Sequence, residues 1–256
     1  MDILHVVILG VIEGLTEFLP ISSTAHQILA SHVLQIPQSE FLTTFEIAIQ
    51  VGAIAAVVVV YYKKILSNKP LFYKACVGFL PTGALGFLLF KHIKSLLSSS
   101  FVPVVTLFVG GILIIAIEMF LRRSKHKMKT TKELSYKDAL IIGLIQSISM
   151  IPGVSRSAAS IFGGMALRLN RESAVEFSFL LAVPTMVAAT GLDLVKEAGS
   201  ITSGQIFELV IGTLIAFVVA LIVIKWLLKY VQKNSFVGFG IYRIVLAILY
   251  FLIFMR

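Results

Sequence analysis

Long apolar segments separated by short polar connections run along the whole chain. Six of these segments are long enough to cross a bilayer as helices, which takes about 20 residues each. They cover roughly residues 41–62, 71–91, 101–122, 171–195, 204–229 and 235–255. The pattern predicts an all-α integral membrane protein with six transmembrane helices.

Two further apolar stretches, about 3–34 and 136–168, are interrupted in the middle, by FLPISST and MIPGVSRS. Proline removes a backbone donor and ends a helix, so each stretch is predicted to form two short helices. Neither stretch is comfortably long enough for two full spans. We therefore expect two re-entrant helix pairs, each entering the bilayer and turning back where protein or a wet cavity satisfies the exposed backbone.

The two interrupted stretches resemble each other. GVIEGLTEFLPISSTAH (10–26) aligns without gaps with GLIQSISMIPGVSRSAA (143–159), so that Glu13 falls opposite Gln146 and Ser23 opposite Arg156. Downstream, FEIAIQVGAIAA aligns with FSFLLAVPTMVA. Three predicted spans separate the two copies, and an odd number of spans inverts the second copy. The expected plan is the inverted-topology repeat found in transporters, in which broken helices meet near the membrane midplane.

The predicted boundaries follow from this plan. We expect one membrane domain over residues 1–256, with repeat 1 at about 1–122 and repeat 2 at about 136–256. A basic loop at about 122–137 lies between them.

Composition and charge agree with a membrane protein. Hydrophobic residues make up 58% of the chain and charged residues only 14%, which excludes an ordinary soluble domain. The net charge of +9 comes from Lys and Arg in short runs between apolar segments, the pattern of cytoplasmic loops, so no nucleic-acid partner is expected. Cys76 is the only cysteine, which excludes an intramolecular disulfide and a multi-cysteine metal site.

The basic runs also orient the chain. The positive-inside rule places the connection after the first span and the loop at about 122–137 in the cytoplasm. Residues 1–40 contain no Lys or Arg and are expected to begin outside. The first interrupted stretch then enters from outside and the second from the cytoplasm.

Two carboxylates lie within the first apolar stretch. Glu13 and Glu17 are four residues apart and share one helix face. A solvated face is disfavoured because the flanking residues are apolar, and carboxylates at membrane depth are costly and usually functional. They can hold Mg²⁺ or Ca²⁺ through oxygen ligands, or act as acid and base.

Hydroxyl groups and an arginine mark the helices that follow the two breaks. Ser22, Ser23 and Thr24 precede or begin one such helix, where free backbone N–H groups favour an anion, although at least one of them is expected only to cap the helix. His26 follows Ser23 by one turn and is a candidate base or phosphate contact. Arg156 begins the other helix, and arginine binds phosphate with two parallel hydrogen bonds. These features predict a pyrophosphate site inside the membrane.

At this point the chain resembles the undecaprenyl-diphosphate phosphatase family, also called bacitracin-resistance proteins. The family motif (E/Q)xxxE reads EGLTE at 13–17, and PGxSRSxxT reads PGVSRSAAS at 152–160. The likeness extends to FLPISSTAH, EFSFLLAVP and the C-terminal IYR, and so covers essentially the whole chain.

The resemblance implies six spanning helices and two re-entrant pairs in inverted repeats. It implies an enzyme that removes the terminal phosphate of undecaprenyl diphosphate, the lipid carrier of peptidoglycan synthesis, and so confers bacitracin resistance. The reaction would take place at the outer face of the plasma membrane, in a multi-pass protein surrounded by membrane lipid, and would depend on a divalent cation, Mg²⁺ or Ca²⁺.

The resemblance also implies residue roles. Glu13 and Glu17 would serve metal binding and acid–base chemistry, Ser23 would be the candidate nucleophile, His26 its catalytic neighbour, and Arg156 the phosphate contact. The implied substrate-binding hydroxyls are those of Ser22, Thr24, Ser155, Ser157 and Ser160. Three positions depart from the family pattern: Ala25 and Ala158, where glycine is usual, and Ser160, where threonine is usual. These departures bear on fine geometry and leave the class unchanged.

Some alternatives stay open. A secondary transporter or polyprenyl-lipid flippase would suit inverted repeats with paired carboxylates equally well. A second class of lipid phosphatase is disfavoured, because only PISSTAH echoes its motifs. The sequence does not decide between a serine nucleophile and an activated water, between the two metals, among prenyl chain lengths, or between a monomer and a homodimer.

Overall fold

The computed structural model describes residues 1–97, 101–122, 128–197 and 202–255, and within these ranges the chain is helical with no β-strand. Two single-turn 3₁₀ helices lie at Thr131–Glu133 and Ser147–Met150. The α-helices are α1 (Ile3–Thr16), α2 (Ser23–Val33), α3 (Glu40–Ala48), α4 (Gln50–Ser67), α5 (Lys69–Leu97), α6 (Phe101–Arg122), α7 (Tyr136–Gln146), α8 (Arg156–Ala166), α9 (Arg171–Glu197), α10 (Ser203–Lys233) and α11 (Val237–Phe254).

Within the described ranges, six helical segments are long and apolar enough to cross a membrane, which confirms the six predicted spans. They are Glu40–Ser67, formed by α3 and α4, then Lys69–Leu89, Phe101–Leu121, Arg171–Leu192, Gly204–Lys233 and Val237–Phe254. Their outer faces expose large apolar side chains such as Phe87 and Phe120, each 75% exposed, as expected of lipid-facing positions. The predicted basic loop includes Arg123, Lys125 and Lys127, which lie outside the described residues.

Each interrupted stretch forms one short helix on either side of its break, α1 with α2 and α7 with α8. The residues before α2 and α8 share an unusual backbone. Ser22 has φ 72° and Ser155 has φ 75°, in the region that L residues seldom adopt. Each accepts a hydrogen bond on Oγ from the backbone N–H three residues later, and so caps its helix. The aligned sequences therefore fold alike at their breaks.

The short helices pack against long ones at points of close backbone approach. α1 lies on α10 and α7 lies on α5. A methyl group at Gly10 would come within 2.9 Å of the Gly212 carbonyl oxygen, and one at Gly143 within 1.7 Å of the Gly78 carbonyl oxygen. Only glycine allows these helices to approach so closely.

Ion pairs join the helix ends that carry the basic residues. Lys64 at the end of α4 pairs with Glu176 in α9, and Arg171 at the start of α9 pairs with Glu118 in α6. The end of α4, the end of α6 and the start of α9 therefore lie together. The predicted topology places these three ends on one side of the membrane.

Candidate active site

The two interrupted stretches meet at one buried carboxylate. Ser23 Oγ donates a hydrogen bond to Glu17 Oε2 at 2.5 Å. Arg156 donates to Glu17 Oε1 through Nε at 3.2 Å and Nη2 at 3.0 Å. Glu17 and Ser23 are 5% and 6% exposed. The structure thus brings together three of the residues predicted to form the site, one of them from the second copy of the repeat.

Other contacts hold the arginine in place. Arg156 Nη1 donates to the Ser178 carbonyl oxygen at 3.1 Å, and the guanidinium lies 5.8 Å from the centroid of the Phe18 ring. Ser178 also binds the Ser160 hydroxyl, with 2.7 Å between their Oγ atoms. Glu17, the Ser178 carbonyl oxygen and the Phe18 ring therefore hold the guanidinium in one orientation. A fixed guanidinium plane suits bidentate binding of an oxyanion.

A cavity of about 480 Å³ opens beside this cluster. Its wall includes Glu17, Ser23, Thr24 and Arg156. Apolar side chains make up much of the remaining wall, among them Phe79, Phe87, Met150, Met186 and Leu192. A cavity with a charged cluster in a mostly apolar wall suits a ligand with a small anionic head and a hydrocarbon tail.

Several of the predicted hydroxyls have structural partners. Ser22 and Ser155 line the cavity and cap α2 and α8. Ser22 is thus a helix cap, as predicted for at least one of Ser22, Ser23 and Thr24, but it also borders the cavity. Ser157 donates to the Leu19 carbonyl oxygen at 2.7 Å and thereby joins the second break to the first. Ser160 is fully buried and bonds to the Arg156 carbonyl oxygen at 2.9 Å. These two hydroxyls therefore hold the backbone on which the cluster is built.

The structure does not bring His26 to Ser23. His26 Nδ1 is 2.7 Å from the Ser22 carbonyl oxygen, and Nε2 is 2.8 Å from the Tyr242 hydroxyl. The imidazole stacks on the Tyr242 ring and borders a different, largely apolar cavity. Its contact with the break is therefore through the Ser22 backbone.

Glu13 lies behind Glu17 and is fully buried. Its Oε2 accepts a hydrogen bond from Gln27 Nε2 at 3.3 Å, while Oε1 has no hydrogen-bond partner. Glu13 and Glu17 interact electrostatically. A buried carboxylate oxygen without a partner is costly unless a cation or a proton satisfies it, so the donor set fits an oxygen-preferring divalent cation. Within the described ranges, no three His, Cys, Asp or Glu side chains form a metal-ligating group.

Sequence reasoning assigned no role to Arg243, which is 0% exposed. Its guanidinium donates to five carbonyl oxygens at 2.7–3.3 Å: those of Pro20, Thr106, Leu107, Gly153 and Val154. Pro20 belongs to the first break, and Gly153 and Val154 to the second. Arg243 therefore ties both breaks to α6. A lone arginine in an apolar span was the available signal, since such residues mark functional positions.

Comparison with known proteins agrees with this geometry. Residues 6–249 match the sequence profile of the family described as bacitracin resistance protein BacA. The chain belongs to this family. It is 47% identical over 250 residues to the undecaprenyl-diphosphatase of Wolinella succinogenes, with 98% of this chain and 97% of the relative aligned. It is 44% identical over 256 residues to the undecaprenyl-diphosphatase of Methanococcus aeolicus, with both chains aligned in full.

Family membership and the six apolar spans together make the chain a multi-pass membrane protein. The similarity also covers both breaks and every residue placed in the cluster, since the matched segment runs from residue 6 to residue 249.

Proposed function

We propose that this member of the bacitracin resistance protein family is an undecaprenyl-diphosphate phosphatase. It hydrolyses undecaprenyl diphosphate to undecaprenyl phosphate and inorganic phosphate, and so recycles the lipid carrier for peptidoglycan synthesis. The observation that carries the proposal is the Ser23–Glu17–Arg156 cluster in the wall of a mostly apolar cavity. Relatives in distant organisms named undecaprenyl-diphosphatase support it.

In the proposed reaction the diphosphate lies against this cluster and the prenyl chain along the apolar wall of the cavity. Ser23 Oγ attacks the terminal phosphorus while its proton passes to Glu17 Oε2, 2.5 Å away. The bond to the bridging oxygen breaks, and undecaprenyl phosphate leaves. Water then hydrolyses the phosphoserine, which releases phosphate and restores Ser23. In the alternative that the sequence left open, Glu17 activates a water for direct attack.

Arg156 stabilises the charge that develops on the transferred phosphoryl group. Its Nη1 and Nη2 atoms already bind Ser178 and Glu17, so the guanidinium is oriented before substrate arrives. The N–H groups at the starts of α2 and α8 add further positive potential at the same point. His26 acts on this cluster through the Ser22 backbone that it holds.

A divalent cation, when bound, supplies further charge neutralisation for the diphosphate. Glu13 is the ligand best suited to hold it, because Oε1 is buried without a partner. Both Glu17 oxygens accept hydrogen bonds, from Ser23 and from Arg156. In the proposal Glu17 also contributes an oxygen ligand to the cation. Mg²⁺ and Ca²⁺ both accept such oxygen donors.

We further propose that α1–α2 and α7–α8 are re-entrant pairs in an inverted-topology repeat. The matched backbone of Ser22 and Ser155 supports this arrangement. So does the exchanged packing, in which α1 of the first half lies on α10 of the second, and α7 of the second half lies on α5 of the first. We also propose, as the family resemblance implies, that the protein lies in the plasma membrane with its site open to the extracytoplasmic side. The protein is proposed to act as a monomer or as a homodimer.

The transporter or lipid-flippase alternative is not favoured, because the similar proteins are named as diphosphatases and the cluster is suited to hydrolysis.

The test is phosphate release from undecaprenyl diphosphate by the purified protein in detergent, with Mg²⁺, with Ca²⁺ and with EDTA. Glu17→Gln, Ser23→Ala and Arg156→Ala are compared with Ser67→Ala, which changes an exposed serine at the end of α4. We expect cation-dependent release that only the first three variants lose. A well-folded wild type that releases no phosphate contradicts the proposal.

A further inference from the structure

A small polar cavity lies next to the candidate active site. Its volume is about 90 Å³, and its wall includes Gln27, Ser31, Glu46, Thr24 and Gln50. Thr24 and Gln50 also line the larger cavity, so the two cavities are neighbours across these side chains. None of the residue roles proposed above involves Glu46 or Gln27.

Three oxygen atoms in this region are buried without a hydrogen-bond partner: Glu13 Oε1, Gln27 Oε1 and Glu46 Oε1. Glu13 is 0% and Gln27 1% exposed. The Gln27 amide links the two carboxylates, because its Nε2 donates to Glu13 Oε2 while the side chain borders the cavity that contains Glu46. Glu46 also interacts electrostatically with Glu13. Unsatisfied acceptors of this kind are rare inside proteins and indicate a missing partner.

The corresponding positions of the second copy carry no carboxylate, although Gln146 Oε1 is likewise buried without a hydrogen-bond partner. In the alignment of the two copies, Glu13 falls opposite Gln146 and Glu46 opposite Ser178. Ser178 is satisfied by Ser160, with 2.7 Å between their hydroxyl oxygens. The first copy thus places two carboxylates where the second has an amide and a hydroxyl, so the repeat fold itself does not require acids at these positions.

Charge balance suggests the missing partner. Arg156 compensates the charge of Glu17. In the part of the chain that the structure describes, no lysine, arginine or histidine forms an ion pair with Glu13 or Glu46. In their ionised form these two carboxylates have no cationic side chain beside them, and one divalent cation would balance both. Carboxylate and amide oxygens, completed by water, are the ligands that Ca²⁺ and Mg²⁺ prefer.

We propose that Glu46 and Gln27 are further ligands of the divalent cation assigned above to Glu13, and that these three side chains hold it beside the active site. The cation takes one oxygen from each of these side chains and completes its coordination with water in the small cavity. From there it lies behind Thr24, at the start of α2, and adds positive potential to the diphosphate end of the larger cavity. This inference rests on the proposed function only for the identity of the anion that the cation serves, since binding itself needs no substrate.

The proposal is tested by equilibrium dialysis of the purified protein against radioactive Ca²⁺ in the absence of lipid substrate, with Mg²⁺ and Na⁺ as competitors. We expect saturable Ca²⁺ binding that Mg²⁺ displaces and Na⁺ does not. Glu46→Gln and Gln27→Leu should each weaken it about tenfold or more, because affinity follows the number and charge of the oxygen ligands. Glu40→Gln, which alters an exposed carboxylate on the same helix, should bind as wild type does.

Thermal unfolding separates loss of a ligand from loss of the fold. Ca²⁺ should raise the Tm of the wild type, because it binds only the folded state. Glu46→Gln should remove that rise while matching or exceeding the wild-type Tm in EDTA, since it deletes an unpaired buried charge. Unchanged Ca²⁺ affinity in Glu46→Gln, or displacement by Na⁺ as readily as by Mg²⁺, overturns the proposal. Phosphate release without such binding overturns it too, and leaves the phosphatase function standing.

Discussion

Arg156 and Glu17 are 139 residues apart in sequence, yet Arg156 Nη2 lies 3.0 Å from Glu17 Oε1. Each residue belongs to the break of a different copy of the repeat, so the pair joins the two halves of the chain at the point where Ser23 is also bound. A guanidinium that is fixed by a carboxylate can bind phosphate without first being ordered. The halves must therefore assemble correctly before the site exists.

Arg156→Lys should reduce kcat by about 100-fold or more, because an ammonium group cannot donate to Glu17 through two nitrogens and face phosphate in the same plane. The measurement is the steady-state rate of phosphate release. Arg168→Lys is the matched control, since Arg168 follows α8 and lies outside the cavity. Equal activity of Arg156→Lys and wild type would exclude a bidentate role.

Ser23→Ala should lower phosphate release about 1,000-fold or more, as expected when a nucleophile is removed from a site that otherwise remains intact. Ser22→Gly should be much milder. Glycine accepts the φ of 72° at this position, and replacing a helix cap by glycine costs only a few tenths of a kcal/mol. Both variants are compared by rate and by Tm. If Ser22→Gly lost as much activity as Ser23→Ala, the Ser22 hydroxyl would have to take part in the reaction.

His26 and Tyr242 should act as one unit. His26 Nε2 is 2.8 Å from the Tyr242 hydroxyl, so removing either partner disrupts the same contact. In a double-mutant cycle of His26→Ala and Tyr242→Phe, the effects on kcat should be clearly less than additive, as is usual for residues in contact. Additive effects would indicate that the imidazole works on the reaction independently of Tyr242.

The sequence predicted those features that depend on composition and local pattern. Hydropathy located all six spans, and the two prolines located both breaks. The two breaks were predicted to contribute to one site, but the ion pair between Glu17 and Arg156 was not predicted. The direction of the His26 ring could not be predicted, because one turn of spacing from Ser23 does not say which way a ring points. Its partner Tyr242 is 216 residues away.

The same limit applies to Arg243 and Glu46. Arg243 is the only charged residue of α11, and Glu46 shares α3 with one other charged residue, Glu40. Neither lies in a local pattern that indicates its partners. The five carbonyl oxygens around Arg243 come from three separate parts of the chain and meet only in the folded state. The re-entrant arrangement and the inverted topology describe how the helices are placed relative to the bilayer, and both are proposals.

Arg243→Leu should destabilise the protein strongly. The substitution leaves buried carbonyl oxygens without a donor, and each such group costs about 1–3 kcal/mol. We expect a fall in Tm of several degrees together with loss of activity, since both breaks lose their common support. Arg243→Lys should recover part of the Tm, because one ammonium group still donates to some of the carbonyls. Thermal unfolding of both variants in detergent is the measurement. An unchanged Tm in Arg243→Leu would mean that water replaces the guanidinium.

The glycine contacts between short and long helices give a graded prediction. A methyl group at Gly143 would lie 1.7 Å from the Gly78 carbonyl oxygen, and one at Gly10 would lie 2.9 Å from that of Gly212. Backbone cannot move aside as a flexible side chain does, so Gly143→Ala should force α7 away from α5 and lower the Tm most. Gly10→Ala should lower it less.

Gly191→Ala is the control for this series, because nothing lies within 4 Å of a methyl group at that position. Alanine is the better helix former by about 1 kcal/mol, so the Tm of Gly191→Ala should equal or exceed that of the wild type. Activity should follow the same order, since α7 leads directly into the break that holds Arg156. If Gly143→Ala kept the wild-type Tm and rate, the close packing of α7 on α5 would not be needed to assemble the site.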